Sequence, residues 1–265
     1  NCWNYWYDKM VLMNFLKNFA FKLKRKILSK TIYKNNFKTP DFFKYYFSQE
    51  KKKFIVQVGG NDGIQNDPLR EYFKSKGNYS AIIFEPISYY FDQLRHLYQS
   101  RPDIDLKNLF ISDQVLSKKI FYINPDVCNE LGSDKEEDNW LHGLGSFNKN
   151  LVEKAIDNNS FRGMKYNENI QKLKDNIIFD IVKGFELKNL HFPNESVNLL
   201  VIDVQGFELQ VLKSLSFKEK IDYIVYEDES PSSINSKRIQ KLLTSNNYKL
   251  IGRLNWLDQI YFKKY

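Results

Sequence analysis

The stretch Phe54-Ile55-Val56-Gln57-Val58-Gly59-Gly60-Asn61-Asp62-Gly63 joins a short apolar run to a glycine-rich turn, and it decides the fold. Glycines permit positive φ and let a ligand approach the backbone closely. Their spacing, at positions 59, 60 and 63, is not the GxGxxG of dinucleotide sites, where a helix starts directly behind the pyrophosphate. The turn therefore favours a smaller, cationic, phosphate-free cofactor such as S-adenosylmethionine. An ordinary strand-to-helix turn is the alternative.

Strands and helices alternate on either side of this turn. The pattern predicts strands over Phe54–Val58, Ser80–Phe84, Asn108–Ser112, Lys119–Ile123, Ser196–Ile202 and Ile221–Tyr226. It predicts helices over Asp67–Ser75, Tyr89–Tyr98, Gly206–Leu215 and Ser236–Ser245. A closing strand pair follows at Tyr248–Arg253 and Gln259–Lys263, while residues 125–175 indicate a loop-rich insertion with a helix near Asn150–Asp157. Such alternation is typical of an α/β domain with a mostly parallel sheet, here with an antiparallel C-terminal edge.

An acidic residue follows the second predicted strand, in Ile82-Ile83-Phe84-Glu85-Pro86. Glu85 comes 26 residues after Gly59, which suits one strand-helix-strand unit. A carboxylate at this place can accept hydrogen bonds from both hydroxyls of a ribose. A solvated residue at a strand end is the alternative. Together with the glycine turn, Glu85 and Pro86 indicate a cofactor-binding segment.

Two further acidic strand ends are expected at the same edge of the sheet. The strongly apolar run 199–202 ends in Asp203, and Gly206 then opens a helix. Ligands of open α/β sheets bind outside the carboxyl ends of the strands. Asp203 is therefore predicted to orient or deprotonate a substrate hydroxyl, to hold the cofactor or to bind a metal, with a helix N-cap as the alternative. Glu227 ends the next strand and is a second catalytic candidate, unless it belongs to a solvated acidic loop.

The charge of the chain is unevenly distributed. Residues 1–53 carry 13 Lys and Arg against 3 Asp and Glu, whereas the other 212 residues carry 27 against 29. We therefore predict a basic extension over 1–53 and a catalytic domain over 54–265. A near-neutral body argues against a nucleic-acid partner. Residues 10–30 are predicted to form an amphipathic helix, which either packs on the body or contacts an anionic membrane or a partner.

The composition also bears on where the protein works. No run reaches the length of about 20 mostly apolar residues that a membrane-spanning helix needs. The two cysteines, Cys2 and Cys128, argue against a disulfide scaffold and a cysteine-based zinc site. The expected location is the cytoplasm, with peripheral membrane contact as an option. The sequence leaves the oligomeric state open.

The blocks described above, in this order, resemble the FkbM-type methyltransferases over residues 54–265. The resemblance includes Ile111-Ser112-Asp113 and the block Ile202–Glu208, and it departs at Gln205, where the family usually shows Glu. It implies a seven-stranded Rossmann-like methyltransferase sheet and S-adenosylmethionine-dependent transfer, usually to oxygen. The positions of family residues imply cofactor contacts for Gly59, Asn61 and Gly63 at the methionine part, Glu85 at the ribose, Ser112 and Asp113 at the adenine, and Asp203 near the transferred methyl.

A hydroxyl is a poor nucleophile at neutral pH, so methyl transfer to oxygen calls for a base or a metal such as Mg²⁺. Asp203 is the first candidate base, and His142, in the loop 141–147, is an outside candidate. The acceptor is expected to be a hydroxyl of a sugar, a glycan or a small metabolite. Two alternatives remain open: a nicotinamide-dependent oxidoreductase on the same fold, and a non-enzymatic module that binds a membrane or a partner through its N-terminal helix.

Overall fold

The computed structural model describes residues 40–64, 67–131, 141–159, 167–228, 233–254 and 258–264. The amphipathic helix predicted over residues 10–30 lies outside these ranges, so its proposed membrane or partner contact stays a prediction. Of the helices that the structure describes, none combines the length and the apolar character that crossing a membrane requires.

Seven strands form the main sheet, in the order β10-β11-β9-β8-β1-β2-β3. Its strands are β1 (Lys53–Val58), β2 (Tyr79–Phe84), β3 (Ile104–Lys107), β8 (Val197–Ile202), β9 (Tyr223–Glu227), β10 (Tyr248–Leu254) and β11 (Asp258–Lys263). The pairs among the first five are parallel, whereas β11 is antiparallel to both β9 and β10. The prediction of a mostly parallel seven-stranded sheet with an antiparallel C-terminal edge is confirmed.

Helices cover both faces of this sheet because its central strands are apolar on both sides. The helices are α1 (Pro40–Ser48), α2 (Arg70–Phe73), α3 (Ser88–Leu97), α4 (Pro125–Leu131), α5 (Lys149–Asn159), α6 (Asn167–Asp175), α7 (Glu208–Lys213) and α8 (Ile234–Ser245). On β1, Ile55 packs with the cluster of α1, α2 and α3, whereas Val56 packs with that of α7 and α8. Alternate residues of one strand thus belong to two cores.

Helix α1 belongs to the folded body, although the predicted boundary placed it in the N-terminal extension. Its residues Phe42, Phe43 and Tyr46 are buried in the core on one face of the main sheet. The Tyr46 hydroxyl donates a hydrogen bond to the carbonyl oxygen of Val197 at the start of β8, at 2.8 Å. Residues 40–48 therefore contribute to the stability of the sheet.

The predicted loop-rich insertion over 125–175 contains three helices, α4, α5 and α6; α5 confirms the helix predicted near 150–157, and the other two were not predicted. It also contains β6 (Gly145–Ser146), which joins β4 (Phe110–Ile111), β5 (Ser117–Ile123) and β7 (Ile177–Phe185) in a second sheet of order β4-β7-β5-β6. The predicted third strand over 108–112 is wrong for the main sheet, where residues 104–107 take that place. An edge strand such as β3 needs only one apolar face, so its residues give a weak sequence signal.

Candidate active site

The carboxyl ends of β1, β2, β8 and β9 meet at one edge of the main sheet. The strand order reverses between β1 and β8, because β2 and β3 continue to one side and β9 to the other. A crevice opens at such a reversal point, and it is the usual ligand site of doubly wound sheets. The residues that follow these strands are Gly59, Glu85 and Asp203, and Glu227 is the last residue of β9.

The glycine turn is shaped by contact with its neighbours. Gly59 has φ +87°, and a Cβ added there would lie 1.8 Å from the carbonyl oxygen of Asp203. A Cβ on Gly60 would lie 2.4 Å from Cγ2 of Ile83. Both amides donate to the carbonyl oxygen of Phe84, at 2.9 and 3.1 Å. The two glycines therefore let the ends of β1, β2 and β8 come together.

Helix α3 packs against the second half of the turn. Gly63 has φ +70°, and its Cβ would lie 2.7 Å from Cδ2 of Leu94. Asp62 is buried, and its Oδ1 accepts a hydrogen bond from the amide of Ile64 at 2.8 Å. Asn61 adopts a left-handed conformation with φ 45°. All five predicted turn residues, 59 to 63, thus form one compact bend at the end of β1.

Glu85 is a buried carboxyl that ties the glycine turn to the end of β2. Its side chain is 5% exposed. Oε2 accepts a hydrogen bond from the amide of Asn61 and Oε1 from the amide of Ile87, both at 2.8 Å. Burial raises the pKa of Glu85 to about 7, against the lowering effect of these backbone donors. The alternative of a solvated strand-end residue is wrong. Pro86 follows, and its carbonyl oxygen accepts from the Asn108 side chain at 3.0 Å.

Asp203 and Glu227 form a carboxyl pair bridged by Gln205. The Gln205 amide nitrogen Nε2 lies 3.4 Å from Asp203 Oδ1 and 3.4 Å from Glu227 Oε2. The side chain of Asp203 is open to water but crowded by protein atoms on the crevice wall, and this partial desolvation raises its pKa, while hydrogen bonds from Glu227 and Gln205 oppose the rise. A hydrogen bond between two carboxyl groups requires that they share a proton.

Asp203 does not cap the helix that follows it. Helix α7 begins at Glu208, and the residue before it, Phe207, makes no side-chain cap. The amide of Gly206 donates instead to the Glu208 carboxylate at 2.8 Å. The predicted alternative of a helix N-cap is therefore wrong, and so is the predicted helix start at Gly206.

Two further carboxyls near this edge were missed by the sequence analysis. Asp67 accepts hydrogen bonds from the Gln57 side chain at 3.2 Å and from the amide of Leu69 at 2.8 Å, and burial raises its pKa to about 6. Asp258 of β11 lies opposite Glu227 of β9 in the strand register. Burial, together with the negative charge of Asp203, raises the pKa of Asp258 to about 7. Their only signal was position: Asp67 precedes a helix, and Asp258 precedes an apolar strand.

His142 lies against α3. Its Nδ1 shares a hydrogen bond of 3.2 Å with the Tyr90 hydroxyl, and the ring is largely buried. Burial lowers the pKa of His142, and the charge of Asp62 opposes this shift. The imidazole is therefore neutral at neutral pH, on the side of the glycine turn. Its catalytic role stays a prediction.

Ser112 and Asp113 lie where the two sheets meet. The amide of Ser112 donates to the carbonyl oxygen of Phe185 in β7, and its hydroxyl donates to Asp113 Oδ1 at 3.3 Å. Ile111, just before them, shares a core cluster with Phe84 at the end of β2. This position is compatible with the expected contact to an adenine, which stays a prediction.

Two open depressions lie at the opposite edge of the sheet, where the strands begin. One, of about 420 Å³, is lined by residues that include Lys51, Val197 and Tyr223. The other, of about 360 Å³, includes Lys53 and Asn78. Neither depression is lined by residues of the glycine turn or the carboxyl pair, so both are separate from the crevice.

The sequence matches the model of the family described as Methyltransferase FkbM domain over residues 57–250, which includes the glycine turn, Glu85 and the carboxyl pair. The chain belongs to this family. The resemblance drawn from the sequence motifs is thereby confirmed. No curated protein matches the chain.

Three solved structures are among those similar to this FkbM domain. They are Methyltransferase FkbM from Methylobacillus flagellatus KT (11% identity, TM-score 0.44, covering 80% of this chain and 43% of that one), Aeropyrum pernix fibrillarin in complex with natively bound S-adenosyl-L-methionine (11%, 0.41, 82% and 68%), and precorrin-6y C5,15-methyltransferase from Geobacter metallireducens GS-15 (9%, 0.38, 83% and 85%). The chain spans less than half the length of the Methylobacillus protein.

Proposed function

We propose that this FkbM domain transfers a methyl group from S-adenosylmethionine to a hydroxyl oxygen of a sugar, a glycan or a small metabolite. The observation that carries the proposal is the meeting of the glycine turn, the buried Glu85 and the bridged pair Asp203–Glu227 at the reversal point of the sheet. The family match favours methyl transfer over the nicotinamide oxidoreductase that the sequence also allowed.

The residues of the crevice fit a cationic cofactor. Three buried oxygens near the turn have no hydrogen-bond partner among the described residues: Oε1 of Gln57, Oδ1 of Asn61 and Oδ2 of Asp67. Buried acceptors of this kind cost free energy until a donor reaches them, and an ammonium group brings three donors. These oxygens would hold the amino-acid end of S-adenosylmethionine, and Glu85 would accept the ribose hydroxyls.

When bound, S-adenosylmethionine supplies an electrophilic methyl group on a positively charged sulfur. The chain then has to hold the acceptor oxygen in line with that carbon, which supplies a large part of the rate. It also has to take up the hydroxyl proton. Asp203 is the group for that task, because its raised pKa brings the carboxylate closer to the working pH of a general base. Gln205 donates a hydrogen bond to this carboxylate, and a second hydrogen bond joins it to Glu227.

The expected Mg²⁺ finds no support in the structure. Within the ranges that the structure describes, no group of three or more His, Cys, Asp or Glu side chains is arranged to hold a metal ion.

The test is a pair of calorimetric titrations of the full chain, one with S-adenosylhomocysteine and one with NAD. We expect one equivalent of S-adenosylhomocysteine to bind and NAD to give no heat of binding. Binding of NAD alone would overturn the proposal. Incubation with methyl-labelled S-adenosylmethionine and a panel of hydroxyl compounds then tests the acceptor atom. A methyl ether survives mild alkali, whereas a methyl ester does not, so a labile product would refute transfer to a hydroxyl.

A further inference from the structure

Three aromatic rings cluster beside the crevice. Phe147, which follows β6, has its ring centroid 4.8 Å from that of Phe110 in β4 and 4.8 Å from that of Phe207. Phe110 is buried, whereas Phe147 and Phe207 are half-buried. We name Phe110, Phe147 and Phe207 the three-ring cluster. Its members come from three separate parts of the chain, so only the tertiary fold brings them together.

The ammonium group of Lys118 sits at this cluster. Its Nζ lies 5.9 Å from the ring centroid of Phe110, 5.7 Å from that of Phe147 and 5.8 Å from that of Phe207. These distances lie at the outer limit of about 6 Å for cation–π attraction. Within the described ranges of the chain, the ammonium group of Lys118 has neither a hydrogen-bond acceptor nor an ion-pair partner. Lys118 is half-buried, and its ammonium group can form a charge-assisted hydrogen bond with an anionic ligand.

One ring of the three-ring cluster belongs to the same loop as Gln205, which bridges the carboxyl pair. Phe207 follows Gln205 by two residues, in the loop that leaves β8 toward α7. The second sheet also reaches the other side of the crevice, because a Cβ on Gly145 of β6 would lie 3.3 Å from Cδ1 of Ile87, two residues after Glu85. Strand β5 pairs with β6, so it lies near the edge of the main sheet at which a cofactor and an acceptor would meet.

We propose that the three-ring cluster and Lys118 form the acceptor site, and that the acceptor is a sugar-like ring that carries a carboxylate or phosphate. This inference rests on the proposed function of the crevice. The half-buried rings of Phe147 and Phe207 offer apolar faces against which the C–H face of a sugar can pack, and Lys118 supplies the counter-charge. Asp203 and Glu227 would repel an anionic compound nearby, so a cation at this position is what admits one. A neutral acceptor would leave the ammonium group without an anion.

The test compares three probes on the full chain with saturating S-adenosylhomocysteine: glucose, glucuronate and glucose 6-phosphate. We expect the two anionic probes to bind about tenfold or more tightly than glucose, as a charged hydrogen-bonded pair requires. Lys118→Gln should abolish this preference. Lys119→Gln is the matched control, because Lys119 is the exposed neighbour on β5 and its Nζ lies over the ring of Phe179, 4.0 Å from the centroid; it should keep the preference.

Equal binding of the neutral and anionic probes, no binding of any probe, or an unchanged preference in Lys118→Gln would each overturn the inference. Inorganic phosphate is the fourth probe: if it binds as tightly as glucose 6-phosphate, the rings contribute nothing and the sugar-like part of the inference is wrong. Failure of the proposed function has a different signature. In that case the unmodified protein does not bind S-adenosylhomocysteine at all, whatever the sugar probes do.

Discussion

Replacement of Gly59 by Ala tests whether the end of β1 and the end of β8 meet as closely as the crevice requires. The added Cβ would lie 1.8 Å from the Asp203 carbonyl oxygen and 2.9 Å from its carbonyl carbon. Both are backbone atoms directly after the buried strand β8, so no flexible side chain can move aside. The two strands must separate, or the glycine turn must change shape.

The expected cost has two parts. A side chain at φ +87° costs roughly 1–2 kcal/mol, and forced overpacking adds roughly 1–3 kcal/mol. Gly206→Ala is the matched control for the first part, because Gly206 has φ +94° but no atom within 4 Å of its added Cβ. Gly143→Ala controls for the lower entropy of the unfolded chain, since its added Cβ also meets nothing within 4 Å and its φ is not positive.

Thermal unfolding of the three variants, followed by circular dichroism, gives the answer. We expect Gly143→Ala to unfold at or slightly above the temperature of the parent, and Gly206→Ala below it. Gly59→Ala should be less stable than Gly206→Ala by about 2 kcal/mol, which for a chain of this size is about 4–8 °C in Tm. It should also bind S-adenosylhomocysteine more weakly. Equal Tm values for Gly59→Ala and Gly206→Ala would refute the close contact between the two strand ends.

Three further predictions concern the site and its boundary. Glu85→Gln should weaken S-adenosylhomocysteine binding by about 2 kcal/mol, or about 30-fold by calorimetry, since a charged acceptor is lost. The pKa of Glu85 is about 7, and its ionised form accepts the ribose hydroxyls, so the affinity of the parent for S-adenosylhomocysteine should rise between pH 6 and pH 8. The affinity of Glu85→Gln should not change over that range. The same pH dependence in both proteins would contradict the role of Glu85. Asp203→Asn should lower turnover about 10²–10⁴-fold with little change in cofactor affinity, while the remote Asp105→Asn leaves both unchanged; turnover within a few-fold of the parent would exclude Asp203 as the base. Removal of residues 1–39 should preserve S-adenosylhomocysteine binding, and a loss of binding in that deletion variant, if it is folded, would place the segment in the site. Removal of residues 1–53 should lower Tm, because it deletes the buried side chains of α1.

The strand and helix pattern of the main sheet could be predicted because its signals are local. Runs such as 54–58 and 197–202 are apolar on both faces, and parallel strands buried on both sides carry that pattern wherever they occur. The glycine turn was recognised for a similar reason, because positive φ and a close backbone approach demand glycine at the position itself. Glu85 was recognised because it is an acidic residue directly after an apolar run. The edge strand β3 and the long strand β7 were missed, since β3 has one apolar face and several residues of β7 are exposed.

Sequence alone determined which residues follow the parallel strands at the crevice edge, because each apolar run marks a strand and the residue after the run lies at the carboxyl end of that strand. It determined the turn at 59–63, Glu85, Asp203 and Glu227 in this way. Only the tertiary structure decided which side chains interact across that edge. Gln205 bridges two carboxyls on different strands, and Lys118 meets three rings from three chain segments. Such contacts depend on distances of a few ångströms between residues far apart in the chain, and no local pattern encodes them.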